Sequence, residues 1–177
     1  VDEKFVGIDY RLRNSTERSG QLYGLTNKAN LYTINPETGA AILVNTLKAA
    51  TDSTFTNLEG TAFAVDFNPA ADRLRVISNT GQSLRINVDT GDTIRDGDSK
   101  GIAGAIISAA ASGNSFKTSV VGLATELFDL DQTNQIVVKQ DPPNTGTLNR
   151  IGGLGINLGL DNGFDIAGGD NGYALAT

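Results

Sequence analysis

The sequence predicts an all-β fold, a β-propeller-like array of four-stranded antiparallel meanders, and three observations carry that prediction. The segment Leu31-Tyr32-Thr33-Ile34-Asn35-Pro36-Glu37-Thr38-Gly39 returns 52 positions later as Ser83-Leu84-Arg85-Ile86-Asn87-Val88-Asp89-Thr90-Gly91. The match continues upstream at the same offset, Leu22 with Leu74 and Asn27 with Asn79, so it is not confined to turn residues. Apolar and polar residues alternate in short runs, the period of half-buried strands. Finally, 21 glycines with only 19% charged residues suit a turn-dense sheet protein better than a helical one. Repeats of this length are the mark of sheet-based arrays, and a four-stranded meander is the unit of a propeller. At 177 residues the chain forms one domain.

The first unit spans about 5–47. In it Val6, Ile8 and Tyr10 alternate with Gly7, Asp9 and Arg11, and a polar loop covers Leu12 to Gly20. Strands at Gln21 to Thr26 and Leu31 to Asn35 flank the turn Asn27-Lys28-Ala29-Asn30. Pro36-Glu37-Thr38-Gly39 forms the next turn, where Pro presets φ and Gly accepts positive φ, and Ala41 to Leu47 closes the unit. The second unit, about 61–97, repeats the plan with Ala62 to Asn68, Arg73 to Ser78, Ser83 to Val88 and Thr93 to Asp96. Asp9 and Asp66 take equivalent places near the ends of the two opening strands.

The third unit, about 103–152, reads as Gly104 to Ser112, Val120 to Ala124, Glu126 to Asp131, Gln135 to Gln140 and Thr147 to Ile151. Leu127 to Asp131 is aligned with Leu31 to Asn35, 96 positions on. The Ala103 to Ala111 stretch has helical propensity, but the repeat asks for a strand there. A fourth unit, 163–177, opens with Gly163-Phe164-Asp165-Ile166, continues as Tyr173-Ala174-Leu175 and is expected to be incomplete.

Cys, His, Met and Trp are all absent. Their absence removes the usual ligands of zinc, haem and iron-sulfur sites, nucleophilic cysteine and the Ser-His-Asp arrangement. Catalysis would then need a shifted carboxylate, Lys or Tyr, or a bound hard cation. The net charge of -6, with no basic cluster, argues against a nucleic-acid partner. No apolar run approaches the roughly 20 residues of a membrane-spanning helix. The chain starts at Val1, which reads as removal of a secretion signal and an extracellular or cell-surface location.

Several groups of residues qualify as candidate sites. Asp161, Asn162 and Asp165 form an acidic, Gly-bearing turn able to offer oxygens to Ca²⁺, although they match no EF-hand loop. Asp96-Gly97-Asp98, Asp129 with Asp131, and Asp170-Asn171-Gly172 are similar, and all of them are also ordinary turn chemistry. Asp9, Asp66 and Asp165 would converge on the axis of a propeller, where carboxylates could hold a metal or act as bases; the simpler reading is that each caps a nearby turn. Tyr10, Tyr23, Tyr32, Tyr173, Phe67 and Phe128 read as core rather than a sugar-stacking surface. Arg73 and Arg75 share one strand face, opposite Leu74 and Val76, and with Arg85 are expected on an exposed face. Asn14-Ser15-Thr16 is a glycosylation sequon.

Five stretches carry a resemblance to a known family: Gly7-Ile8-Asp9-Tyr10, Gln21-Leu22-Tyr23-Gly24-Leu25, Leu31 to Gly39, Asp66 to Val76, and Asp141-Pro142-Pro143-Asn144-Thr145-Gly146-Thr147-Leu148. Together they resemble a bacterial domain of unknown function, DUF4394, over nearly the whole chain. The resemblance implies a propeller-like, commonly exported β protein, and carries over no activity or catalytic residue.

The function expected from these features is a non-catalytic structural or binding module outside the cell. It would assemble with itself or with a protein partner by strand addition at an open sheet edge. The alternatives are a cation-dependent propeller hydrolase or lactonase using Asp9, Asp66 and Asp165, and a monomeric lectin-like binder.

Overall fold

The structure is a computed structural model that describes residues 2–12, 20–113, 125–166 and 172–175, the last of these as backbone only. It is all-β: strands are separated by turns, and the described residues contain no α-helix. The first sheet runs β1 (Phe5–Arg11), β2 (Gln21–Thr26), β3 (Asn30–Ile34), β4 (Ala41–Thr46) in chain order, each antiparallel to the next. A two-residue strand, β5 (Lys48–Ala49), then leaves the first sheet and pairs in parallel with the last strand of the second. That sheet is β6 (Phe63–Asn68), β7 (Arg73–Ser78), β8 (Ser83–Ile86) and β9 (Asp92–Arg95). The third is β10 (Ile107–Ser112), β11 (Leu127–Asp131), β12 (Ile136–Gln140) and β13 (Leu148–Gly153), with a 3₁₀ turn at Pro143–Thr145. A two-stranded fourth sheet pairs β14 (Gly163–Ile166) with β15 (Gly172–Leu175). These meanders do not close into a barrel or ring among the described residues.

The sequence repeat is explained by its turns. Asn35 and Asn87 each use Oδ1 to accept a backbone N–H two residues on, from Glu37 and Asp89. Their carbonyls accept the N–H of Gly39 and Gly91, both at 2.8 Å, and those glycines stand at φ 72° and 77°. Asn starts each turn because its side chain supplies the acceptor, and Gly ends it because it takes the left-handed conformation without strain.

The third sheet corrects the repeat alignment. Because β11 pairs with both β10 and β12, Leu127–Asp131 is a second strand, the counterpart of Leu22–Thr26 rather than of Leu31 to Asn35. An Asp-bearing apolar run looks alike in either position, so composition could not separate them. The Ala-rich stretch is a strand from Ile107, as the repeat required. Val120 to Ala124 and the sequon Asn14-Ser15-Thr16 lie outside the described residues.

Packing between sheets makes the core in three layers. Tyr23, Leu25 and Leu31 of the first sheet meet Phe67, Leu74, Val76 and Leu84 of the second. On the second sheet's other side, Ala64 and Ile77 meet Ile107, Ala110, Leu127 and Val138 of the third. Ala109 and Leu130 then meet Leu158 and Phe164 near the fourth. At the first interface Gly7 lets β1 lie directly on β6, since a Cβ there would stand 2.2 Å from Val65 Cγ2.

A candidate functional site in the cleft between the opening strands

The opening strands of successive sheets lie side by side, β1 on β6, β6 on β10, and β10 on β14. They enclose a cleft of about 650 Å³ whose wall includes Ile8, Asp9, Tyr10, Phe164 and Asp165. A smaller space of about 340 Å³ near Lys4, Phe5 and Leu160 adjoins it through Asn162 and Gly163.

Two of the three nominated carboxylates are used to tie sheets together. Asp9 accepts the N–H of Tyr10 at 2.7 Å through Oδ1 and, through Oδ2, the N–H of Phe67 in the next sheet at 2.6 Å. Asp66 repeats the move one sheet on, accepting the Ser112 N–H at 2.9 Å. The capping foreseen from sequence is therefore not local, because each carboxylate reaches across a sheet interface to the residue after the equivalent position. In the third sheet that equivalent position is Ala111, so the staple is missing there. Asp165 occupies it in the fourth sheet, with its carboxylate exposed in the cleft.

Two of these carboxylates, Asp9 and Asp66, sense neighbouring charge. Burial pushes the Asp9 carboxyl up to about 7, its two N–H bonds oppose that shift, and the charge of Asp165 adds to it. Asp66 is raised well above the ordinary range, first by burial and then by the charge of Asp9. A group poised near neutrality suits proton transfer, but Asp9 has both oxygens occupied by backbone donors.

The Ca²⁺ candidates are dispersed rather than gathered. Asn162 donates from Nδ2 to Ser108 Oγ at 3.0 Å and to the Gly159 carbonyl at 2.6 Å, while its Oδ1 is buried without a partner. Asp161 is exposed, as is Asp165 on β14. Among the described residues no three His, Cys, Asp or Glu side chains converge where they could hold a metal ion. Asp96 is engaged by Arg75 and Arg85, Asp98 by Arg95, and Asp131 caps the Thr133-Asn134 turn. Asp170 and Asn171 lie outside the described residues.

Two further expectations change. Tyr23 and Phe67 are core, in edge-to-face contact at 5.5 Å, whereas Tyr10 is 41% exposed on the outer face of the first sheet. Tyr10 alternates out of the core because Asp9 and Arg11 take the inward positions. Arg75, foreseen as exposed, is buried, since the face it shares with Ala64 and Ile77 is covered by the third sheet.

With this geometry in hand, the comparisons with other proteins are specific at one level only. The family model described as domain of unknown function DUF4394 matches residues 1–177. The chain belongs to that family. No curated protein matches it. Among solved structures it is similar to an auxiliary nutrient binding protein from Bacteroides thetaiotaomicron, at 12% identity and a TM-score of 0.48. That likeness covers 82% of this chain and 40% of the other, so the DUF4394 chain spans less than half that protein's length.

Charged residues inside this DUF4394 domain also include groups that sequence reading did not single out. Arg11, the last residue of β1, is buried and makes four hydrogen bonds of 2.6 to 2.8 Å to Asp72 and Asp89, which lie in two turns of the second sheet. Asp129, noted only as a turn acid, is fully buried on β11, and neither of its oxygens has a hydrogen-bond partner. Burial pushes its carboxyl up to about 8, with Arg75 pulling the other way. The signal for Asp129 was available once Leu127-Phe128-Asp129 is aligned with Leu22-Tyr23-Gly24 and Leu74-Arg75-Val76, because an acid then stands where β7 has the buried Val76.

Proposed function

We propose that this chain is a non-catalytic structural or binding module of an extracellular or surface assembly. Its sheets form an open, propeller-like array whose open side receives a β element from a second copy or a partner protein. One observation carries this reading. The outer face of the first sheet presents Phe5, Ile8, Tyr10 and Leu43, between 41% and 55% exposed, with Tyr32 packed edge-on against Phe5. The matching face of the second sheet is covered by the first, and that of the third by the second. A contiguous apolar face of this kind marks a surface for association.

Two further features support the reading. Among the described residues β15 pairs only with β14, which leaves one side of its backbone free to take another strand. Asp165 stands where Asp9 and Asp66 bond a backbone N–H of the following sheet. Against hydrolysis stand the occupied oxygens of Asp9 and the Asp66 bond to Ser112. Light scattering after size-exclusion chromatography tests the proposal: a concentration series yields dimers or larger species, and Leu43→Lys returns them to monomer. A monomer at every concentration refutes self-association; capture of no β-strand partner by immobilised protein then removes the rest.

The cleft favours a second reading, a small-ligand binder of the lectin-like kind. Its volume falls within the roughly 300–1,000 Å³ of small-molecule sites. Perturbation of the Ile8 and Phe164 NMR signals by sugars or polyols tests it, and unchanged spectra refute it.

A further inference from the structure

Asp129 and Arg75 face the same interface, between the second and third sheets, without bonding to each other. Asp129 shares its strand face with Leu127, which enters the core with Ala64 and Ile77. Its neighbours in the repeat are Gly24 in β2 and Val76 in β7, so the fold itself does not demand an acid at this position. A carboxylate buried among apolar groups without a donor is costly in its charged form and sheds the cost by keeping its proton. Gln140 Oε1 is another buried acceptor without a partner, and the strand register puts it on the same sheet face. Neither acceptor has a hydrogen-bond partner, and a protonated acid brings a hydroxyl donor to that face.

The surrounding charges leave Arg75 able to move. It donates to Ser83 Oγ at 3.0 Å, Asp96 Oδ2 at 2.7 Å and Asn144 Oδ1 at 2.8 Å. Asp96 also takes two bonds from Arg85, at 2.6 and 2.8 Å, so it keeps a bidentate partner if Arg75 leaves. The other groups on this interface are committed: Asp66 to Ser112, and Asp131 to the Ile106, Thr133 and Asn134 amides. Ala110 of β10 and Val138 of β12 stand opposite Asp129 and carry no charge. Lys139 lies on the other face of β12 and pairs with Glu126 and Asp141.

We propose that Asp129 and Arg75 form a proton-operated switch between the second and third sheets. With Asp129 protonated, Arg75 stays on Asp96 and Asn144. When the proton leaves to solvent, Arg75 turns to the new carboxylate and releases Asn144, while Arg85 holds Asp96. Asn144 belongs to the 3₁₀ turn before β13, and its carbonyl accepts the Gly97 N–H at 3.1 Å. A Cβ on Gly97 would stand 2.6 Å from the Thr145 carbonyl oxygen, so the loop and the turn are in close contact. Release of Asn144 therefore loosens the loop after β9 from the turn before β13.

Two NMR measurements on the intact chain test the switch: the carboxyl ¹³C titration of Asp129, and hydrogen-exchange protection of the Gly97 amide corrected for intrinsic rates. The Asp129 signal titrates near pH 8, and Gly97 protection falls about tenfold for each pH unit on the approach to that midpoint and levels off above it. In Asp129→Asn, Gly97 protection no longer depends on pH. An Asp129 carboxyl already ionised at pH 6 overturns the proposal, and so does an equal loss of protection in the variant. Should Asp129→Asn not fold, Asp129→Val, with the side chain of the equivalent Val76, gives the same reading: flat protection supports the switch and a pH-dependent loss overturns it.

Discussion

Arg11 is the point at which a single substitution should do most damage, and its effect can be apportioned before it is measured. The guanidinium sends Nε and Nη2 to the two oxygens of Asp72, at 2.7 and 2.6 Å, and Nη1 and Nη2 to those of Asp89, both at 2.8 Å. The two halves differ in burial: the Asp72 side chain is 5% exposed and that of Asp89 46%. Removing one partner of a buried ion pair costs about 3–5 kcal/mol, because the other charge is left in a poor solvent. An ion pair open to water contributes only about 0–1 kcal/mol. Arg11→Ala is thus expected to lose about 3–5 kcal/mol, nearly all through Asp72, and Asp89→Ala less than about 1 kcal/mol. With urea m-values of about 1–3 kcal/mol per M, the Arg11 variant unfolds about 1–5 M earlier. Urea titrations followed by far-UV circular dichroism at pH 7 separate the two variants. If Asp89→Ala costs as much as Arg11→Ala, the burial argument is wrong.

Other consequences follow from single contacts. Gly7→Ala should cost about 1–3 kcal/mol by overpacking β1 against Val65, and adding Val65→Ala should restore most of it; a double variant as unstable as the single one rejects the clash. Asp165→Asn removes a charge that raises Asp9, so the Asp9 carboxyl should titrate below about 7; an unmoved NMR midpoint denies the coupling. Asp129 holds its proton to about pH 8 when folded and to about 3.8 when unfolded. Between those values the unfolded state binds fewer protons, so this group's contribution falls as pH rises, by up to about 1.4 kcal/mol per unit. The difference in stability between Asp129→Asn and the natural protein should widen by up to about 4 kcal/mol from pH 5 to pH 8, and parallel curves would contradict it.

The fold was legible where local chemistry decided it. Asn35 and Gly39, with Asn87 and Gly91, announce their turns because each residue is there for a backbone bond or a positive φ. The alternation of β1 likewise gave the correct strand but not its face, since Ile8 and Tyr10 point outward and Arg11 is buried. What alternation could not give is what covers a face. Arg75 was read as exposed because side-chain period says only that it opposes Leu74, and the third sheet that buries it comes from a segment far along the chain. The short β5 was missed for a related reason, since two exposed residues pairing in parallel with β9 leave no periodic signal. Asp129 was hidden by the misaligned third unit, which set it beside turn acids instead of beside Gly24 and Val76.

The position shared by Asp9, Asp66, Ala111 and Asp165 makes the same point about function. A catalytic reading takes the recurring acid as a reagent converging on an axis, and Asp9 and Asp66 are indeed raised in part by neighbouring carboxylates. Yet each of the first two spends its carboxylate on a backbone N–H of the next sheet, which is a joint between repeated units. The interface that lacks the joint, after Ala111, is also the one with the smallest buried cluster among the described residues, built on Ala109, Leu130 and Leu158. Asp165 holds the same position in β14, with no following sheet among the described residues. A β element docking there would offer it a backbone N–H, so Asp165→Ala should weaken association more than substitution of an exposed acid away from the cleft, such as Glu37. Equal loss in the two variants would separate the carboxylate from the assembly surface and leave the apolar face of the first sheet to act alone.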